Sequence, residues 1–367
     1  MAERERGEQV RKSGEDAYFV ASNSAGGFRS WYGETFDDRR IGRLYAIKGG
    51  PGTGKSRFMR DVADAGRARG WRAEMIYCSS DPDSLDGIIL TRGGQEGIAL
   101  LDATAPHVYE PSHPGYREEL VNLGAFWDAG RLRGERETIE GLNREKAAAY
   151  RRAYRYLAGV GELSETACEL TAPFVREAAL TRFAAKLTRE LPEGNAFQPR
   201  TALMHGIGMR GRVMFDTFLA QAERIVLIED CHGCAYLLMR EIYRQIAQKR
   251  LAVRVSRDPI LPERTDALFL PDGGIAFAVL PGELCAYPHR TVSVRRFVDT
   301  RAMRSVREPL GYAERVRRVM LDGAVAELER AAGLHFRIEA IYERAMDFAA
   351  KEAYTRDFCA RLFGTEE

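Results

Sequence analysis

The stretch that decides the fold is Arg43-Leu44-Tyr45-Ala46-Ile47-Lys48-Gly49-Gly50-Pro51-Gly52-Thr53-Gly54-Lys55-Ser56-Arg57-Phe58-Met59-Arg60-Asp61-Val62. A short apolar run is followed by a glycine-rich turn, then by Phe58, Met59 and Val62 at helical spacing. This pattern predicts a buried strand over 43–48, a loop, and a helix over 57–69 that Gly70 closes. Residues 49–56 fit G-x-x-x-x-G-K-[ST] in full, in the strand–loop–helix context the motif requires. Glycines permit positive φ and let amide groups converge on phosphate oxygens, and the helix start adds the positive end of its dipole. The expected ligands are a nucleoside triphosphate and Mg²⁺. Gly49, Gly50, Pro51, Gly52, Thr53, Gly54, Lys55, Ser56 and Arg57 are the candidate phosphate-binding residues. Lys55 is expected to reach the β- and γ-phosphates, and Ser56 to place its hydroxyl on the metal.

Downstream, residues 71–78 read as a second strand, which ends in the acidic loop Ser79-Ser80-Asp81-Pro82-Asp83-Ser84-Leu85-Asp86-Gly87. Residues 97–101 read as a third strand, closed by Asp102. An apolar strand followed by Asp is the Walker B pattern, so Asp102 is the candidate magnesium-side acid with Ser56. Asp81, at the same expected sheet edge as the glycine-rich loop, is a second candidate catalytic carboxylate, with Asp83 and Asp86 as rivals. Turn chemistry accounts for the same acids without any function. Thr104 and His107 are placed to sense a γ-phosphate, although His107 also reads as a surface-loop histidine. No strand ends in Asp-Glu, so no hydrolytic base stands out. No N-K-x-D follows the third strand, which favours ATP over GTP.

Shifting the chain by 180 residues exposes an internal repeat. Residues 43–48 fall on 223–228, another apolar strand, and Met59-Arg60-Asp61-Val62 falls on Met239-Arg240-Glu241-Ile242. Pro82, Asp86, Leu90, Gly93 and Gly94 fall on Pro262, Asp266, Leu270, Gly273 and Gly274. Further on, Phe126-Trp127-Asp128 resembles Phe297-Val298-Asp299, and Arg176-Glu177-Ala178 resembles Lys351-Glu352-Ala353. In this register Lys55 becomes Ala235 and Ser56 becomes Tyr236, while Glu229 and Asp230 bring negative charge. The second copy is therefore degenerate, and one triphosphate per chain is expected. The run 225–230 also fits a Walker B strand serving the first loop. Cys231-His232-Gly233-Cys234 is a C-x-x-C at an expected helix start, which fits a redox or metal role as well as buried structural cysteines.

The expected fold is α/β, with two tandem P-loop NTPase-like three-layer domains, each carrying a helical extension. A disordered N-terminal arm covers 1–16, the intact domain 17–192 and the degenerate one 197–367. The helical segments, about 115–191 and 298–363, have three- and four-residue apolar spacing. Arg131, Arg133, Arg144, Arg151, Arg152 and Arg155 alternate with glutamates, the pattern of an ion-paired face, with a nucleic-acid groove or a lid as alternatives. A β-hairpin is expected around the polar turn 22–27.

Charge is almost balanced, with 55 basic and 53 acidic residues, which argues against wholesale nucleic-acid binding. Six cysteines in 367 residues do not make a disulfide framework, no apolar run spans a bilayer, and the charged start is not a secretory signal. The expectation is a cytoplasmic protein away from the membrane. A protein partner or a homo-oligomer remains open.

The chain resembles a family of uncharacterised two-repeat P-loop ATPases of Gram-positive, often spore-forming bacteria. The resemblance is carried by Ser24-Ala25-Gly26-Gly27-Phe28, the loop 47–56, the acidic loop from Cys78 to Gly87, and Asp102-Ala103-Thr104-Ala105-Pro106-His107. Asn122-Leu123-Gly124 with Trp127-Asp128 also fits. The resemblance implies ATPase activity without a known substrate. In that family both repeats often look like nucleotide domains, and this chain departs from it in the second loop. The sequence thus points to a magnesium-dependent ATPase with one active loop. A small-molecule or nucleotide kinase, or an ATP-gated binding module without turnover, are the alternatives.

Overall fold

The computed structural model describes residues 9–11, 16–36, 40–105 and 109–364. The first half runs β1 (Gln9–Arg11), β2 (Asp16–Phe19), β3 (Ala21–Ser24), β4 (Gly27–Ser30), α1 (Tyr32–Phe36), β5 (Ile41–Lys48) and α2 (Lys55–Arg67). It continues with β6 (Arg72–Tyr77), β7 (Leu85–Thr91), β8 (Gly97–Asp102), β9 (Glu118–Asn122), α3 (Ala129–Gly134), α4 (Arg136–Thr171) and α5 (Glu177–Thr188). The second half runs β10 (Gln198–Thr201), β11 (His205–Gly208), β12 (Gly211–Phe215), α6 (Thr217–Gln221), β13 (Arg224–Glu229) and α7 (Ala235–Gln248). Then follow β14 (Ala252–Arg257), β15 (Thr265–Leu270), β16 (Ile275–Val279), β17 (Arg290–Ser293), α8 (Arg307–Glu343) and α9 (Phe348–Phe363).

Each half holds a six-stranded mixed sheet, ordered β2-β6-β7-β8-β5-β9 and β10-β14-β15-β16-β13-β17. The two orders match strand for strand, and so do the pairings. In each half one strand, β7 or β15, runs antiparallel to both its neighbours. This strand corrects the sequence reading, which extended the acidic loop to Gly87 and so passed over Leu85–Thr91. Asp86 and Gly87 interrupt the apolar pattern, yet Asp86 is buried in the strand, and a side chain at Gly87 would strike the Phe36 ring.

The expected three-layer domains are also corrected. Alternate residues along each central strand serve two different cores. Tyr45, Ile47, Ile98 and Leu100 pack beneath α2, whereas Leu44, Ala46, Ala99 and Leu101 face the other way. That second face shares one core with Ile225, Leu227, Ala276 and Ala278 of the other sheet, closed by Phe36 of α1 and Phe218 of α6. Long helices therefore cover only one face of each sheet.

The helical extensions do not cover the sheets they follow. Helices α4 and α8 lie antiparallel, with Arg152 Nε and Nη2 each donating to Glu327 at 2.8 Å and Leu142 packed among Leu334, Ile338 and Ile341. At 36 residues α4 is about 54 Å long, enough to carry its end to the opposite sheet. There α5 packs on α7, and reciprocally α9 packs on α2. Matching backbone bonds close both crossings, Asp347 N to Phe126 O at 2.9 Å and Arg176 N to Phe297 O at 2.8 Å. These pairs set Arg176 against Asp347, one helical turn away from the expected match with Lys351. A four-residue slip preserves the apolar face, so hydropathy alone does not reveal it. The boundary between 192 and 197 thus separates two stretches of sequence whose helices are exchanged in space.

Within the expected N-terminal arm, residues 9–11 and 16 are ordered. Gln9–Arg11 pairs with Val213–Phe215, Arg11 Nη1 lies 2.8 Å from Asp83, and buried Asp16 binds Arg254 at 2.7 Å. The rest of the arm, 1–8 and 12–15, lies outside the described residues. No helix among the described residues is long and apolar enough to cross a membrane.

Phe358 of α9 is buried against Phe58 and Tyr45 of the first half, with ring centroids 5.1 and 5.0 Å away. Phe358→Ala is expected to cost about 3–5 kcal/mol and to weaken both halves in one transition. Urea unfolding followed with probes in each half checks this: separate transitions, with the second half unaffected, would contradict the interlocked packing.

Candidate functional site

The glycine-rich loop leaves β5, which lies between β8 and the edge strand β9 of the first sheet, and leads into α2. Gly52 and Gly54 have φ of 70° and 73°, a left-handed conformation strained for other residues. Thr53 Oγ1 donates to Gly50 O at 2.9 Å and braces the turn. Lys55 curls back, its Nζ donating to Gly49 O and Gly50 O at 2.9 Å each. Its remaining direction faces Asp102 Oδ2 at 3.5 Å. Asp102 Oδ1 accepts from the Thr104 amide at 2.8 Å, and Thr104 Oγ1 donates to Gly49 O at 2.7 Å. Burial raises the Asp102 carboxyl above its usual range against the pull of Lys55, and Asp86 adds to the rise.

The structure brings together Lys55, Asp102, Thr104 and the loop glycines. Ser56 Oγ accepts from the Leu85 amide at 3.0 Å, tying the start of α2 to β7. Pro51 lies on the same loop, but the Arg57 side chain is exposed and turns to Asp61 at 2.9 Å, leaving only its backbone in the first turn. Asp81 Oδ1 caps its own turn at the Asp83 amide, 3.2 Å away, as turn chemistry expects. Burial raises the Asp81 carboxyl, and Glu339 is among the charges that add to this. Asp83 is held by Arg11 and by Arg210 of the second half. Pro106 and His107 lie outside the described residues.

Magnesium binds few protein oxygens and keeps phosphate and water oxygens. Ser56 and Asp102 are hard oxygen donors that suit such a role. No cluster of three or more His, Cys, Asp or Glu forms a metal cage among the described residues.

Sequence reasoning missed the residues that cover the loop, because they come from the far end of the chain. A methyl group at Gly52 would lie 2.7 Å from the Glu339 carbonyl oxygen of α8, and one at Gly50 would meet the rings of Trp127 and Tyr342 at 3.3 and 3.4 Å. Burial would raise the Glu339 carboxyl, but His335, the Gly52 amide and Lys55 hold it below its usual range. Lys351 of α9, itself buried, would lie 3.6 Å from a side-chain carbon at Gly54. A carboxylate thus faces the amide and ammonium groups that the motif offers to phosphate.

The second loop follows a related plan by a different route. Asp230 accepts from the amides of Gly233 and Ala235, both at 2.7 Å, so its own carboxylate fills the start of α7. His232, in the register of Gly52, keeps a φ of 53°. The C-x-x-C does not pair within itself: Cys234 Sγ lies 3.7 Å from Cys168 Sγ at the end of α4. The bond from Cys234 holds the Cys168 thiol down to about 7, while burial raises Cys231. Comparison of the chain with protein-family models, curated proteins and solved structures finds no match.

Removing the Asp230 carboxylate strands two amides at the start of α7. Asp230→Ala is expected to cost about 1–2 kcal/mol in urea unfolding. An unchanged midpoint would show that water replaces the carboxylate without loss.

Proposed function

We propose that the chain binds Mg²⁺-ATP at residues 49–56 and hydrolyses it, with the closing of this loop coupled to helix α8 of the second half. The observation that carries the reading is Lys55 held between the loop carbonyls and Asp102, 3.5 Å away, beside two left-handed glycines. An incoming triphosphate offers Lys55 and the Gly52 amide stronger partners than the groups they now face. Lys55 would turn to the β- and γ-phosphate oxygens, and the amides at the start of α2 would hold the β-phosphate. When bound, magnesium supplies charge neutralisation across the β- and γ-phosphates, with Ser56 and Asp102 as its protein oxygens. Asp102 must be ionised for this role, and Lys55 favours that form.

Glu339 competes with phosphate for the same amide and the same lysine. Phosphate binding therefore moves the end of α8, a 37-residue helix rooted beside the second sheet. This supports an ATP-driven switch over a static binding module. The kinase alternative needs the acidic loop to take an acceptor, but Asp83 there is already engaged by Arg11 and Arg210.

Lys55→Ala is expected to lower turnover by about a hundredfold or more. Glu339→Ala, in contrast, is expected to tighten ATP binding by about tenfold, because it removes a competing carboxylate. Calorimetric titration with Mg²⁺-ATP and a phosphate-release assay check both. Unchanged affinity and turnover in Lys55→Ala would sink the reading.

A further inference from the structure

A cavity of about 570 Å³ lies beside the second loop, between Cys231 and His232 on one side and the start of α8 on the other. Arg295, Arg301, Arg304 and Arg307 line it. None of the four lies within ion-pair distance of an acid among the described residues, while Arg301 acts at longer range on Asp299, whose carboxylate caps the turn. Glu314, the acid in the lining, is engaged by His232 at 2.7 Å.

The repeat shows how this cavity arises. Asp128 and Asp299 cap equivalent turns, each accepting from the amides two and three residues onward. In that register Arg295 matches Gly124, Arg301 matches Gly130, and Arg304 and Arg307 match Arg133 and Arg136. In the first half a side chain at Gly124 would strike the Trp127 ring at 2.8 Å. The second half has Val298 in place of Trp127, and the large ring is gone. The half that lost its phosphate loop has thus gained two arginines and the space to use them.

We propose that this cavity is a second binding site, for a small molecule carrying two or three adjacent phosphates. Arginine forks match phosphate oxygens in pairs, and four arginines in one lining without a close ion pair repel one another until an anion joins them. The volume falls within the range of small-molecule sites, about 300–1,000 Å³. Its concave shape and the chain's net charge of +2 favour a small polyanion over a nucleic-acid backbone. Because Asp230 occupies the amides of the second loop, the arginine side chains do the binding, without a P-loop lysine. The site does not depend on ATP binding at residues 49–56.

The test uses the full chain in EDTA, titrated calorimetrically at physiological salt with tripolyphosphate, ADP and inorganic phosphate. Lys55→Ala serves as the background that weakens the first loop. One equivalent of tripolyphosphate or ADP is expected to bind, with inorganic phosphate weaker by about tenfold or more. The double variant R301E/R304E is expected to lose this binding by about tenfold or more, with an unchanged melting temperature. ADP binding tighter than tripolyphosphate marks a nucleotide as occupant, and the reverse marks a linear polyphosphate. If Lys55→Ala does not fold, R301E/R304E in the otherwise intact chain must remove one class of sites. The proposal is overturned by absent saturation, by binding insensitive to the double variant, or by a single-stranded oligonucleotide that binds tighter as it lengthens.

Discussion

The antiparallel pairing of α4 and α8 is the contact on which the other arrangements rest. Each helix starts beside one sheet and ends at the loop of the other, so the two halves complete each other. The Arg152–Glu327 pair and the apolar seam set the register of the two helices. That register decides which turn of α8 meets the glycine-rich loop and which turn of α4 meets Cys234. The long reach brings residues of the second half to the first loop.

Both loops show the same electrostatic need. Amides at a helix start need an acceptor, and the helix dipole favours a negative one. The second loop supplies Asp230 from within itself, with two short bonds. The first loop has glycine in that place, and the carboxylate facing its amide comes from Glu339, on a distant helix. A partner on a separate element can be displaced by a ligand, whereas a carboxylate built into the loop cannot leave without unravelling it. This difference separates a loop suited to exchange from one fixed for stability. The arginines beside the second loop place its anion affinity on side chains instead.

Much of the local structure was legible in the sequence. The strand, loop and helix over 43–69 follow from an apolar run, glycines and helical spacing, and the repeat offset of 180 reappears as α2 against α7. Asp102 was legible as the close of an apolar strand, and it faces Lys55. The strand Leu85–Thr91 was not, because Asp86 and Gly87 look like loop residues until Phe36 is seen packed over them. The exchange of α5 and α9 was illegible because an amphipathic face does not state which sheet will bury it. Glu339 was missed for the same reason: nothing local to α8 marks it as a neighbour of Gly52.

We propose that a triphosphate at residues 49–56 displaces the end of a helix from the other half. Amide hydrogen exchange of the full chain, with and without a non-hydrolysable ATP analogue and Mg²⁺, tests it most directly. Slower exchange over residues 49–58 is expected together with faster exchange over residues 336–346. Protection of the loop without any change in α8 would contradict the coupling, and no change in the loop would contradict the site itself.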